Sequence, residues 1–185
     1  MPNLLPFRDY NEHEVINLYS CNTVATKGTL VKLIAPVGQN VLNISNISVG
    51  NKFVNTLNNN FDILGQVEIV TGFTDVPSAL GLLLYDVRET DENGERLIFN
   101  PQKMAEMNVV LPKINAVPIL TRGIVLINDI DETPRLNGSG GPPVLGAAAY
   151  AGNNGRIGVN GAIKIGKFLS TKDSNGYCLM KVNFD

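Results

Sequence analysis

The chain has 185 residues, 44% of them hydrophobic but only 6% aromatic, with no tryptophan. The 15 Lys and Arg nearly balance the 17 Asp and Glu, and neither sign gathers in blocks along the chain, which argues against a nucleic-acid or anionic-membrane partner. No apolar run approaches the ~20 residues of a membrane span, and the first residues lack the basic segment and long apolar run of a signal peptide.

A chain of this size is expected to form one core, filled mainly by Ile, Leu and Val, which favour a pleated sheet. The expected fold is mainly β: a single β-barrel or β-sandwich-like domain with short helices and an extended N-terminal arm. Residues 1–20 read as the arm and a short helix, and residues 21–185 as the β-domain.

The first ten residues contain Pro2, Pro6, Phe7, Arg8 and Tyr10, a composition that fits an extended arm better than a helix. Asn11 with Glu14 three positions on makes a capping-box pattern, and Val15, Ile16, Leu18 and Tyr19 supply the apolar side of a two-turn helix. Gly28 to Ala35, closed by Pro36, reads as a strand. Weaker strands are expected near residues 41–47 and 53–57, within a stretch rich in asparagine and hence in turns. Residues 63–71 read as another strand.

The densest apolar run is Gly81 to Val87, almost without polar interruption, so both of its faces should be covered by protein. Asn93-Gly94 signals a type I′ hairpin turn leading into a return strand at Arg96–Phe99. Asn100-Pro101 looks like an N-cap and first helical residue, with Met104 and Met107 facing the core of a helix that ends before Pro112. Ala116 to Ile127 is a strand in which Gly123 marks a bulge or a close backbone approach. After the Gly- and Pro-rich loop Asn137–Pro143, Ala147–Ala151 reads as a small-residue strand before the turn at Asn153-Asn154-Gly155. The chain closes on a hairpin turned at Asp173-Ser174-Asn175-Gly176, whose last strand alternates Cys178, Met180, Val182 and Phe184 with more polar residues. Gly81 and Gly166 each open the same local pattern of apolar strand, Asp-x-Asn-Gly and returning strand. This reads as repeated hairpin usage, with an internal duplication as the alternative.

Little in the sequence points to chemistry. His13 is the only histidine, and it sits between two glutamates where a surface position explains it. Cys21 and Cys178 have no partner at metal-ligand spacing and read as free, buried thiols. Glu89, Asp91, Asn93 and Gly94 match half a calcium loop, but Asn100 stands where the closing glutamate would be. The glycines of residues 138–141 do not make a phosphate cradle, since Pro142-Pro143 removes the N–H groups that a cradle uses. The reading is therefore an interaction module without catalytic residues, metal or cofactor. Phe7, Arg8, Tyr10 and Tyr19 are the candidate partner contacts. A small β-barrel hydrolase or sugar-binding module with converging carboxylates such as Asp86, Asp129 and Asp131 is the reading from a different class.

Several phrases resemble a known family: residues 11–17 with Lys27-Gly28-Thr29-Leu30-Val31, Leu80 to Pro101, Thr121-Arg122-Gly123-Ile124, and Gly166-Lys167-Phe168-Leu169 with its Asp-x-Asn-Gly turn. Together they look like the decoration, or cement, proteins of tailed bacteriophages. The resemblance implies a small β-rich virion protein on the outer surface of the capsid, assembled in the host cytoplasm. Its partner would be the major capsid protein, and its own state a homo-oligomer, most simply a trimer, that reinforces the expanded shell. A head-fibre or tail component with a similar β-domain is the related alternative.

Overall fold

Strands form where the sequence sets leucine and β-branched residues between glycines, asparagines and prolines, and they assemble into two main sheets that curl into half-barrels. The computed structural model describes residues 3–34, 65–71, 79–133, 140–161 and 163–184. The strands expected near 41–47 and 53–57 lie outside them. One sheet contains β2 (Val15–Ile16), β3 (Tyr19–Cys21), β4 (Leu30–Ile34), β5 (Gly65–Ile69), β6 (Ala79–Leu83) and β9 (Ile119–Leu120). The other contains β1 (Leu4–Pro6), β10 (Arg122–Ile127), β11 (Ile130–Asp131), β12 (Ala148–Ala151), β13 (Ile157–Gly158), β14 (Lys164–Phe168) and β15 (Cys178–Asn183). A small ribbon pairs β7 (Asp86–Val87) with β8 (Val109–Val110), in parallel. The chain is mainly β, as expected.

The two main sheets repeat one topology. The first runs β2-β9-β6-β4-β5-β3 and the second β10-β15-β14-β12-β13-β11, with β1 added outside β10. Numbered within each half, both read 1-6-5-3-4-2, with strands 2 and 4 parallel and the other neighbours antiparallel. The agreement extends to single residues. Gly81 pairs with Val31 and Gly166 with Ala149, and in both halves the register shifts at the next residue of strand 3. Gly28 and Gly146 both have positive φ in the turn before strand 3, and their N–H groups bond Leu83 O and Phe168 O, the last residues of strand 5. The two Asp-x-Asn-Gly turns share one bonding pattern. Gly94 N–H donates to Asp91 O as Gly176 N–H does to Asp173 O, and each aspartate Oδ1 accepts from the residues two and four positions on. The two halves thus share one backbone pattern, in line with the alternative of an internal duplication.

What differs between the halves is which faces are covered. In the first, Leu30, Leu82 and Leu120 point into the large core shared with the second sheet, while Val31, Leu83 and Ile119 point to a separate core on the opposite face. Two buried faces require consecutive apolar residues, and this accounts for Gly81 to Leu83; beyond the end of β6 the expectation of two covered faces fails, with Leu84 half-buried and Tyr85 exposed. In the second half only the inner face is buried, by Phe168, Met180, Val182 and Ile157, and the outer face carries lysine. Hence the last strand alternates. The sheets are stacked in tandem: the outer face of the first covers the inner face of the second.

Several local expectations are corrected. Arg96–Phe99 is not a return strand: Thr90 bridges Arg96, and Leu97–Phe99 forms a 3-10 turn leading to the helix Pro101–Glu106. The Asn93-Gly94 turn has positive φ at glycine alone, so it is a type I turn closed by a left-handed glycine rather than type I′. This segment is an insertion before strand 6 that the second half lacks, with its own small core of Leu97, Val109 and Leu111 against Met104 and Met107. Asn100 caps its helix through Lys103 N–H, as the sequence indicated. The two-turn helix expected after Asn11 is one 3-10 turn, Glu12–Glu14. Its entry is held by Asn11 N–H to Glu14 Oε2 at 2.9 Å, and Val15-Ile16 leaves it as a strand. The boundary placed between residues 20 and 21 falls inside β3, and residues 4–6 are an edge strand, so the N-terminal segment belongs to both sheets.

Candidate docking surface

The four candidate contacts part company. Phe7 and Arg8 follow β1 directly and face solvent, the Phe7 ring being 55% exposed. Tyr10 and Tyr19 turn inward. Tyr19 stands opposite Gly65 on the neighbouring strand, where an added Cβ would lie 3.6 Å from ring carbon Cδ1, and packs on the first-half core. Tyr10 packs on the shared core with its ring against Gly123, where an added Cβ would lie 3.2 Å from ring carbon Cε1. The glycine expected to mark a close approach therefore receives an aromatic ring from the N-terminal segment. The structure provides the segment with a place in the core, which its composition had not suggested.

Among the described residues the buried Tyr10 hydroxyl has no hydrogen-bond partner, and its pKa is pushed up to about 12, first by burial and then by the Glu14 carboxylate. A phenol with a raised folded pKa contributes stability that is complete below its ordinary value near 10 and is lost as pH rises through 12. Tyr10→Phe removes an unsatisfied group and is expected to raise stability by about 1 kcal/mol at neutral pH. It should also flatten the decline between about pH 10 and pH 12. Urea midpoints of both proteins against pH test this; a loss on Tyr10→Phe would mean that the hydroxyl has a partner.

The other candidate groups serve the fold. Asp86 Oδ1 accepts Lys27 N–H at 2.7 Å, Asp129 is paired with Arg156, and Asp131 accepts N–H groups of Thr133 and Asn153. In the half calcium loop the cation is the Lys103 ammonium. It bonds the Asp91 carboxylate and holds its pKa below the ordinary range, assisted by N–H groups of Glu95 and Asn93. His13 is exposed beside Glu12. Cys21 and Cys178 are free and buried, and burial pushes both thiols up, toward the unreactive form.

The composition gave no hint of two further exposed apolar points. Phe99, 80% exposed, and Ile98 project from the inserted 3-10 turn, whose first residue, Leu97, is buried. Val144 and Leu145, 62% and 67% exposed, sit on the turn before β12, and Val144 lines a groove with Gly140–Pro143, Ala147, Val159 and Phe168. Their signal in the sequence is only that large apolar residues occupy turns where polar ones are usual. No helix among the described residues is long and apolar enough to cross a membrane. No protein-family model matches the sequence, and no curated protein matches it at a significant level.

Proposed function

We propose that this protein is a structural component of a tailed-bacteriophage virion, a decoration protein that docks on the outer surface of the capsid and stabilises the expanded shell without catalysis. The observation that carries this reading is a tightly packed two-sheet scaffold that holds large apolar side chains out into solvent at Phe7, Ile98, Phe99, Val144 and Leu145. Rings and leucines fixed on short turns and strand ends are costly in water and favourable at an interface, where they are already ordered before contact. Beside it stands the resemblance of the strand and turn phrases. The partner is the major capsid protein, and the protein acts as an oligomer, with the trimer the simplest form.

Attachment is tested with Phe7→Ala combined with Arg8→Ala, both exposed and therefore separable from the fold. Co-sedimentation with expanded capsids that lack this protein should weaken at least tenfold, about 1.4 kcal/mol, at an unchanged melting temperature. Undiminished binding would remove the N-terminal segment from the contact. Failure of the unaltered protein to sediment with capsids would overturn the reading.

A further inference from the structure

We propose that the outer face of the second-half sheet docks on an acidic surface of another protein through Arg122, Lys164, Lys167 and Lys181. All four are exposed. They are dispersed in the sequence, where the charges show no block, and only the sheet order β10-β15-β14 brings them together. Lys167 and Lys181 are direct cross-strand partners, an arrangement that destabilises a sheet. No Asp or Glu occurs in β1, β10, β12, β14 or β15 to offset them, and none of the four makes an ion pair among the described residues.

The internal repeat says what this face is used for. The first-half counterpart of the Lys167–Lys181 pair is Leu82–Leu120, and those leucines are buried against the second sheet. The same face of the same topology is thus already an interface once in this chain, and in the second half it is recoded from leucine to lysine. Solvation alone would be met by mixed charges. Four cations with no anion, in a chain of net charge −2, instead complement carboxylates. Beside them on this face lie the aliphatic side chains of Ile124, Leu126 and Leu179, and Tyr150 stands opposite Lys164, an apolar ground among the charges that suits a protein surface.

The test uses the full chain and poly-L-glutamate as the probe, with a DNA duplex of matched charge beside it. Titration followed by amide chemical shifts should show saturable, salt-sensitive binding of polyglutamate, with the perturbations centred on β10, β14 and β15. Lys167→Gln with Lys181→Gln should weaken it at least tenfold while the melting temperature holds or rises, because the opposed charges are gone. Perturbations elsewhere, equal binding by the variant, no saturable binding, or tighter binding to the duplex would each overturn the proposal. Its outcome is independent of the capsid test, since it needs no capsid.

Discussion

Gly81→Ala and Gly166→Ala are each expected to destabilise the protein by about 3 kcal/mol, near the upper end for inserting atoms into a packed interior. A Cβ at Gly81 would lie 2.4 Å from Leu120 O, and one at Gly166 would lie 2.2 Å from Lys181 O. Both oxygens belong to strand 6 of their half, whose backbone cannot retreat without breaking the ladder to strand 5. Alanine at Gly94 or Gly176 meets no atom within 4 Å and bears only the positive φ of the turn, at about 1 kcal/mol. Urea unfolding of the four variants should therefore give two equal pairs. If Gly166→Ala proves as mild as Gly176→Ala, the equivalence of the halves does not reach their packing.

Leu4→Ala is expected to cost about 3 kcal/mol, and removal of residues 1–6 more than that. Leu4 is fully buried in the shared core, its strand pairs with β10 over three residues, and its Cβ lies 3.0 Å from where a Cβ on Gly28 of the first half would be. The segment therefore ties the two halves together. Its loss also bares the β10 edge, so amides of Leu126 and its neighbours should lose exchange protection. A truncated protein with an unchanged urea midpoint and unchanged exchange would show that the N-terminal strand is dispensable.

Much of the fold could be read from the sequence because the signals were local. Glycine and proline bounded β4, Asn100-Pro101 opened a helix, the apolar run from Gly81 meant two covered faces as far as Leu83, and the alternation after Cys178 meant one. The repeat was only hinted at, because what the halves share is backbone geometry. Gly81 matches Gly166 and Gly28 matches Gly146, but Leu82 faces Leu120 where Lys167 faces Lys181, since one half is the middle of the stack and the other its end. The four candidate contacts differ in burial. Phe7 and Arg8 are exposed, whereas Tyr10 and Tyr19 are packing residues. An edge strand and a free arm have the same proline-rich, aromatic composition, and only the partner glycines, Gly123 and Gly65, separate them. The cationic face was invisible because it arises from strand order.

The measurement that bears most directly on the proposed docking role is the content of purified virus particles. Particles banded from the lysate in which this protein is made should contain it in many copies, in fixed ratio to the major capsid protein when quantified by mass spectrometry. It should be accessible to antibody on intact shells. Its absence from banded particles, with the chain recovered only in the soluble fraction, would contradict the account.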